Sequence, residues 1–447
     1  MSHQGASRLA PRLSGGIPWF GHAFKFHADP VGLLQRGRER LGDLFWFRLA
    51  GSRIHALTGP KANAAFFQAP DDQLSAKEAY RFTVPIFGPG IAYDATPDVM
   101  EEQISFLFPA LKDERLRSYA RVMEEEAENY FGRWPQGGEA DLLTAMNELT
   151  VFISSRCLVG DEFRRRLSTE FARLYHDLEG GINLLAFFNP DLPLPSFKRR
   201  DRARRRMVEI ISGIVAERRE SRTQGEDFLQ TLMAARGGDG KALTDEAITG
   251  LLLTSIFAGQ HTSSVLACWT GALLLQNPAF LPAVLAEQDA AFAGAPEMAL
   301  EALRAMGVLE RAIREAERMH PPLIMLMRRI LKDVTYGEYV LPAGDIAMVS
   351  PAVSQRIPDI FPDPDRYNPD RFSSNEGFPK YSMIAFGGGR HACIGGTFAY
   401  LQVKVIWSVL FRRFNLELID RDVRPNYRTF VVGPRPPCRV RYRRKST

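Results

Sequence analysis

The sequence predicts a mainly α-helical protein with a smaller β region. Its 447 residues are 45% hydrophobic and 24% charged, which is the ordinary composition of a globular protein with a large buried core. Apolar residues recur at helical spacing over long segments, whereas the alternation typical of strands is confined to two short regions. Because no internal repeat or long low-complexity segment interrupts these patterns, we expect a single compact domain.

The strand and helix patterns can be placed along the chain. "DLFWFRL" and "RIHALTG" alternate around "AGS", which predicts a hairpin, and "VTYGEYVL" with "DIAMVSP" predicts a second strand region. Long helical patterns cover residues 115–134, 142–159, 197–219 and 298–319.

A further helix is predicted in the middle of the chain, where residues 247–286 contain no charged side chain. Thr244 is a good N-cap and Pro278 marks the far end, which gives a helix of about 30 residues. The polar segment "GQHTSS", residues 259–264, makes a membrane span improbable, since unpaired polar groups are costly in lipid. We therefore expect a central helix that is buried on every side.

Net charge and cysteine content indicate which cellular compartment and which binding partners to expect. The formal net charge of +5 suits nucleic acid, anionic lipid or an acidic protein partner. The strongest basic run, "KRRDRARRR" at 198–206, reads best as a solvated helix face, and no nucleic-acid-binding signature accompanies it. The four cysteines are far apart, and no signal peptide is apparent, so a reducing, cytoplasmic location is expected, with peripheral membrane contact left open.

The polar segment of the central helix has two interpretations. Its hydroxyls could bond back to carbonyl groups one turn earlier, as they often do in helices. Alternatively, Ala258 and Gly259 remove side-chain bulk immediately before it, which suggests that a flat group packs there. The two features together favour a site.

The segment "FGGGRHACIG", residues 386–395, surrounds one cysteine with bare backbone. A phosphate-binding loop is excluded because neither GxxxxGK[ST] nor a strand-flanked GxGxxG spacing is present. A zinc site is weakly supported, since His391 and Cys393 supply only two of the about four ligands that zinc needs. A haem thiolate needs one cysteine, a closely approaching loop and cations for the haem carboxylates, and this segment offers all three.

Three motifs then resemble those of the cytochrome P-450 monooxygenases. The loop resembles the family's FxxGxRxCxG pattern, "EAER" at 315–318 resembles its ExxR motif, and "NPDRF" at 368–372 resembles the segment that contributes a second arginine. An isolated ExxR is weak, because Glu and Arg at this spacing form ordinary helix-surface pairs. In this order the three motifs imply a cytochrome P-450 fold from Gly16 onward, with residues 1–15 as a flexible tail.

The resemblance implies haem b as the cofactor, with Cys393 as its thiolate ligand and metal ligand, and a buried triad of Glu315, Arg318 and Arg371. Electrons would come from NAD(P)H through a ferredoxin-type partner that docks on a basic face near the cysteine loop. The other residues implied in cofactor binding are Tyr80, Arg328, Arg390, His391, Phe386, Gly387, Gly395, Ala258 and Gly259.

A histidine before the central threonine narrows the resemblance to the sterol 14α-demethylases, which remove a sterol methyl group in three successive oxidations. "AYRFTVPIFGPGIAYD" at 79–94 and "YHDLEGG" at 175–181 also resemble substrate-recognition segments of that group. The implied catalytic residues are Thr262, His261 and Glu179, with Glu179 and His261 in a gated proton route. The implied substrate-lining residues are Tyr80, Phe82, Phe87, Ala258, His261, Leu323, Phe430 and Val431.

The sequence departs from the family at one position and leaves alternatives open. Ile104 and Ser105 stand where a basic haem-carboxylate partner is expected. A diverged relative that hydroxylates another large hydrophobic substrate therefore stays open, as does a non-catalytic haem-thiolate binding protein. Without the resemblance, Phe82 and Phe87 would read as core aromatics. The resemblance also implies azole inhibition, and no transmembrane segment or nucleic-acid partner is expected.

Overall fold

Long helices and short strands form the regular structure, which confirms the prediction of a mainly α protein with a smaller β region. The computed structural model describes residues 8–166, 169–182, 186, 189–222, 225–293, 298–374 and 377–446. Contacts between Cα atoms divide the chain into two compact units. The first unit contains residues 1–79, 311–393 and 422–435, and the second contains residues 80–310, 394–421 and 436–447.

The helices match the predicted segments closely at four places and differ at one. In chain order the α-helices are α1 (Ala23–Ala28), α2 (Pro30–Leu41), α3 (Pro60–Gln68), α4 (Ala76–Ala79), α5 (Val84–Phe87), α6 (Pro97–Leu107), α7 (Asp113–Gly132), α8 (Leu142–Val159), α9 (Asp161–Arg166), α10 (Thr169–Glu179), α11 (Pro195–Ser221), α12 (Phe228–Ala234), α13 (Asp245–Gln276), α14 (Leu281–Phe292), α15 (Leu300–Ala305), α16 (Gly307–Met319), α17 (Pro351–Ser354) and α18 (Gly396–Arg413).

The prediction of a single helix over 298–319 is wrong, because two helices, α15 and α16, are separated there at Met306. The carboxylate of Glu287 accepts the backbone N–H groups of Val308 and Leu309 at 2.7 and 2.8 Å. An outside carboxylate thus satisfies first-turn donors of α16, so a new helix can begin at this point.

Within the described residues, the strands form three small sheets. In chain order they are β1 (Arg8–Leu9), β2 (Leu44–Leu49), β3 (Ser52–Leu57), β4 (Leu74–Ser75), β5 (Gly137–Asp141), β6 (Leu326–Ile330), β7 (Val334–Tyr336), β8 (Tyr339–Leu341), β9 (Ile346–Val349), β10 (Phe414–Leu418) and β11 (Arg439–Arg444). The first unit holds a five-stranded sheet in the order β2-β3-β9-β6-β4 and a three-stranded sheet β1-β8-β7, and the second holds β10-β11-β5. The predicted hairpin is confirmed as the antiparallel pair β2 and β3, with Phe47 opposite Ile54.

The start of the described chain is tied to the first unit before Gly16. Arg8 and Leu9 pair in parallel with Tyr339 and Val340, and the N–H of Leu13 donates to the carbonyl of Trp46 at 2.8 Å. These backbone bonds hold residues 8–13, which belong to the predicted flexible tail. Residues 1–7 of that tail lie outside the described residues.

The first unit packs α3 against its larger sheet. Phe66 and Phe67 of α3 are buried in one apolar cluster with side chains from the sheet, including Leu74, Ile330 and Val349. Burial of large aromatic side chains contributes roughly 2 to 3 kcal/mol each, so α3 is firmly placed. This matters because the cysteine loop rests on α3.

The second unit is organised around α13, which has the length and the ends that the sequence predicts. Its 32 residues begin after Thr244, whose hydroxyl oxygen accepts the N–H of Ala247 at 3.2 Å, and they end at Gln276. Most of its side chains are buried, and its N-terminal half shares an apolar cluster with α5, α11 and α12. The central helix is therefore a packing axis of this unit.

Three described segments are apolar and long enough, by length and composition alone, to cross a membrane: Leu142–Val159, Asp245–Gln276 and Gly389–Arg413. Between 56 and 67% of their most apolar windows is buried inside the structure, so core packing accounts for their composition.

The close packing of α13 on α18 can be tested at Gly271. A Cβ atom there would lie 1.8 Å from Cζ2 of Trp407, whereas a Cβ at Gly213 on α11 would meet no heavy atom within 4 Å. We expect Gly271→Ala to destabilise the protein by about 1 to 3 kcal/mol, because the buried indole has to move. The matched variant Gly213→Ala should be neutral or stabilising by about 0.5 to 1 kcal/mol. Urea unfolding midpoints that shift equally in both variants would contradict this packing.

Candidate active site

The loop around Cys393 is shaped by close contact with α3. A Cβ atom at Gly389 would lie 2.4 Å from the carbonyl oxygen of Phe67, and one at Gly388 would lie 3.0 Å from the Phe67 ring. Gly389 and Gly387 also have positive φ angles of 65° and 72°, which L side chains rarely adopt. The glycines therefore allow the backbone to lie flat against α3, and Cys393 remains exposed.

Backbone hydrogen bonds close this loop. The N–H of Cys393 donates to the carbonyl of Phe386 at 2.8 Å, and the N–H of Gly387 donates to the carbonyl of Ile384 at 2.9 Å. Beyond the cysteine, Gly395 is the residue that precedes α18. The loop thus presents one thiol from a fixed backbone.

Arg390 and His391 of the loop share one carboxylate, that of Asp71. Nε2 of His391 lies 2.7 Å from Oδ1 of Asp71, and Nη1 of Arg390 lies 3.3 Å from Oδ2. Nδ1 of His391 is buried and has no hydrogen-bond partner among the described residues. Burial lowers the pKa of His391, the Asp71 contact partly offsets this, and the charge of Arg328 lowers the pKa further.

Arg328 lies on β6 in the same unit and is buried. Its Nη1 donates to the carbonyl oxygens of Phe66 at 2.9 Å and Ala69 at 3.4 Å, and its guanidinium lies 4.8 Å from the Phe66 ring centroid. Three of the four predicted haem-carboxylate partners therefore lie in the first unit. The fourth, Tyr80, lies in the second, where its ring stacks on Tyr93 with centroids 4.6 Å apart.

These residues fit a haem-thiolate group. The exposed sulfur stands on a glycine-rich loop, and the buried Nδ1 of His391 lacks a polar partner within the described part of the chain. Arg328 and Arg390 add positive charge in the same unit, as a dicarboxylate cofactor requires.

The predicted triad is brought together and buried. The carboxylate of Glu315 accepts Nε and Nη2 of Arg318 at 2.7 and 2.9 Å, and Nε of Arg371 at 3.0 Å. It also accepts the backbone N–H of Asn368 at 2.9 Å. Arg318 donates further to the carbonyls of Gln355 and Pro364. These bonds join α16 to the "NPDRF" segment, and both oxygens of the buried Glu315 carboxylate accept hydrogen bonds.

One face of α13 is open in its middle. Ala258 is exposed and a Cβ at Gly259 would meet nothing within 4 Å, although most neighbouring helix residues are buried. Thr262 on this face donates its hydroxyl to the carbonyl of Ala258 at 2.5 Å, which is the local bond back to the preceding turn that the sequence left open.

His261 and Glu179 contact each other through Nε2 and Oε1, and both are about one-third exposed. Glu179 is the last residue of α10, where the helix dipole disfavours a negative charge, so a donor partner offsets that cost. Tyr175 packs beside the pair, with its ring 5.9 Å from that of His261 and 4.5 Å from that of Phe257.

The other polar residues of "GQHTSS" face the buried side of α13. Ser264 donates to Oδ1 of Asn147 on α8 at 2.6 Å. Oε1 of Gln260 and Oγ of Ser263 are buried without hydrogen-bond partners among the residues that the structure describes. The segment therefore divides into an open face with His261 and Thr262 and a buried polar face.

The remaining predicted substrate residues lie on both units. In the second unit Phe82 and Phe87 are buried, and Phe87 belongs to the apolar cluster around α13, with its ring 5.8 Å from that of Phe257. In the first unit the N–H of Val432 donates to the carbonyl of Pro322 at 2.8 Å, which places Val431 beside Leu323. Phe430 is 52% exposed.

Helix α6 shows the departure from the family that the sequence indicates. Ile104 is half-buried, and the hydroxyl of Ser105 donates to the carbonyl of Glu102 at 2.6 Å, so neither residue supplies a cation. Gln103 on the same helix donates to the carbonyl of Gly90 at 2.7 Å and accepts the N–H of Ala92 at 2.9 Å. This helix therefore holds its neighbouring loop by an amide.

Sequence reasoning missed Asp71, Gln103 and Tyr175 as residues of these sites. Asp71 lies 320 positions from His391 along the chain, and no local pattern distinguishes it from Asp72. Tyr175 belongs to the segment 175–181 and lies four residues before Glu179. On a helix this spacing places the two side chains on one face, which was a weak indication that Tyr175 lies beside His261.

Comparison with known proteins decides the family, because the family model for cytochrome P450 matches residues 11–440. The chain belongs to the cytochrome P450 family. Membership makes it a monooxygenase whose cofactor is haem with a cysteine thiolate ligand. The P450 fold is likewise shown by retinoic acid-bound cyanobacterial CYP120A1, which is 22% identical with a TM-score of 0.86 and covers 98% of this chain and 99% of its own.

Curated P450 relatives match the whole chain. A sterol 14-demethylase of Arabidopsis thaliana is 41% identical over 98% of this chain and 92% of the relative. A sterol 14α-demethylase of Mycobacterium tuberculosis is 38% identical over 98% of both chains. A lanosterol 14-alpha demethylase of Bos taurus is 37% identical over 98% of this chain and 89% of the relative.

The buried triad can be tested with Glu315→Gln. This change leaves two guanidinium groups without a buried counter-charge, so we expect a loss of about 3 to 5 kcal/mol in the free energy of unfolding. The matched variant Glu301→Gln removes a carboxylate from an exposed pair with Arg117 and should leave the melting temperature unchanged. Thermal unfolding of both purified variants measures the difference. Equal melting temperatures would contradict a structural role for the triad.

Proposed function

We propose that this P450 removes the 14α-methyl group of a sterol in three successive oxidations that consume oxygen and electrons. The observation that carries the proposal is the contact between His261 and Glu179 beside Thr262 on the open face of α13. The full-length relatives of plant, bacterial and mammalian origin that are named as demethylases of this kind support it.

Haem, when bound through Cys393, supplies the oxygen-activating chemistry of a thiolate-ligated iron. In the first unit Arg328, Arg390 and His391 would pair with its carboxylates. Phe386, Gly387 and Gly395 would shape the loop around the sulfur. Tyr80, Ala258 and Gly259 of the second unit stay predicted cofactor-binding residues. The protein's task at this site is to hold and orient the group.

Protons would move through three side chains of α10 and α13. Glu179 holds the imidazole of His261 at Nε2 and can pass a proton to it from solvent, since both side chains are partly exposed. The Thr262 hydroxyl now donates to the Ala258 carbonyl, and rotation about its Cα–Cβ bond would turn the donor toward the open face. Thr262 would thus present a proton at Oγ1 where oxygen reacts.

The substrate proposed for this site is a large, rigid and mainly apolar molecule. Tyr80, Phe82 and Phe87 of the second unit stay predicted substrate residues, as do Leu323, Phe430 and Val431 of the first. These side chains are mainly apolar, which suits a sterol. Azoles should occupy the same site, because a ring nitrogen can ligate haem iron.

A ferredoxin-type protein, reduced by NAD(P)H in the cytoplasm, is the proposed electron donor. The net charge of +5 supports docking of an acidic partner. Product formation with reduced ferredoxin should then fall as salt concentration rises, since salt screens the attraction. A rate that is independent of salt would contradict this partner.

Binding and turnover of sterols test the function directly. We expect a saturable change in the haem absorption spectrum on titration with at least one 14-methyl sterol from a series that is dimethylated, monomethylated or unsubstituted at C4. Product analysis with surrogate redox partners should then show the demethylated sterol. A blank result across the series would remove the sterol assignment and leave the haem-thiolate assignment intact.

Thr262→Val tests the proton route. This change keeps the side-chain volume but removes the hydroxyl, so sterol binding should be retained while product formation falls by about tenfold or more and oxygen consumption continues. Thr270→Val is the matched control, because Thr270 makes the same bond to the preceding turn, with Leu266 at 2.8 Å, in a buried part of α13. Equal ratios of product to oxygen consumed in both variants would refute the role of Thr262.

A further inference from the structure

A group of large apolar side chains near the N-terminus is exposed. Ile17, Trp19, Phe20 and Phe24 are 48, 93, 53 and 64% exposed, respectively, and the rings of Phe20 and Phe24 lie 5.5 Å apart. We call these four residues the apolar tip. Soluble proteins rarely expose large aromatic side chains side by side unless they contact a partner or a lipid surface. The sterol site accounts for none of these residues.

The backbone beneath the apolar tip is held firmly. The N–H groups of Ile17 and Gly21 donate to each other's carbonyls at 2.9 Å, and the N–H of Ala50 donates to the carbonyl of Phe20 at 3.2 Å. The N–H of His22 donates to the carbonyl of Arg48 at 2.7 Å. The turn is thus anchored to β2, so its apolar side chains are presented outward by an ordered scaffold.

Trp19 occupies a strained backbone position. Its φ angle is 63°, in the left-handed region, where a side chain other than glycine costs about 1 kcal/mol or more. Glycine or asparagine would remove that cost, and burial in the protein does not offset it because the indole is 93% exposed. A contact outside the chain is the natural source of compensation.

The charge around the apolar tip is positive. The first 28 residues contain Arg8, Arg12 and Lys25 but no aspartate or glutamate, and of these cations Arg8 is paired with Glu338. Lys25 and Arg48 are exposed next to the tip, and neither forms an ion pair within the described part of the chain. Exposed aromatic side chains with cations beside them match an anionic lipid surface, where tryptophan and phenylalanine insert at headgroup level. They suit a protein partner less, since specific protein interfaces bury about 800 Å² on each side.

We propose that the apolar tip seats the protein on the surface of an anionic membrane, without spanning it. Trp19, Phe20 and Phe24 enter the headgroup boundary, while Lys25 and Arg48 contact lipid phosphates. Membrane contact through the apolar tip does not depend on the identity of the substrate.

Sedimentation of the full-length holoenzyme with vesicles tests the proposal. The vesicles are phosphatidylcholine alone or mixed with phosphatidylglycerol, without sterol or redox partner. We expect wild type to bind the mixed vesicles and the double variant Trp19→Asn, Phe24→Ser to bind at least about tenfold more weakly. Each single variant should fall between them, which keeps the test valid if the double variant folds poorly. Phe108→Ser, at a 56% exposed phenylalanine elsewhere, is the matched control and should bind as wild type does.

Four outcomes would overturn the proposal. Wild type could stay in the supernatant with both vesicle types, or the tip variants could bind as tightly as wild type. Equal binding to neutral and anionic vesicles would exclude the anionic surface. A dimer in sedimentation velocity that the tip variants dissociate would show that a second copy of this chain covers the tip. Because no sterol is present, these results are independent of the demethylase proposal.

Discussion

The cysteine loop can exist in its observed form only because two adjacent glycines, Gly388 and Gly389, lie against Phe67 of α3. Any side chain at Gly389 would collide with the Phe67 carbonyl, and one at Gly388 would press on the Phe67 ring. Phe67 is itself fixed by burial against the larger sheet. Packing of an ordinary apolar core therefore determines where the thiol of Cys393 stands, and the same constraint places Arg390 and His391 beside Asp71.

The central helix α13 meets a different constraint, since one of its faces packs in the core while another carries the predicted catalytic side chains. Its buried face places Ser264 against Asn147, so a polar residue in the core has a partner. Its open face carries His261 and Thr262 next to small residues. Placing both kinds of polar group within a few residues allows one helix to stabilise the second unit and to serve chemistry without a break in its backbone hydrogen bonds.

Local signals were sufficient for much of the fold. Thr244 as a cap, the hairpin of β2 and β3 and the length of α13 all depend on residues close together in sequence, and the structure agrees with each. The break between α15 and α16 was not predictable, because the capping carboxylate of Glu287 comes from another helix.

The same distinction between local signals and contacts from distant residues applies to the sites. The family resemblance implied Glu315, Arg318 and Arg371 as a buried triad, and these side chains meet. Asp71 was missed because its partner lies hundreds of positions away, and a plain aspartate carries no signature of that contact. The roles of Thr262, His261 and Glu179 stay predictions, since geometry shows contact but not turnover.

Ligation of haem iron by the Cys393 thiolate can be tested by the absorption spectrum of the reduced protein with carbon monoxide. We expect the red-shifted Soret band of a thiolate-ligated haem, and its loss in Cys393→Ser. A band at the shorter wavelength of imidazole-ligated haem, or a purified chain that takes up no hemin, would contradict it.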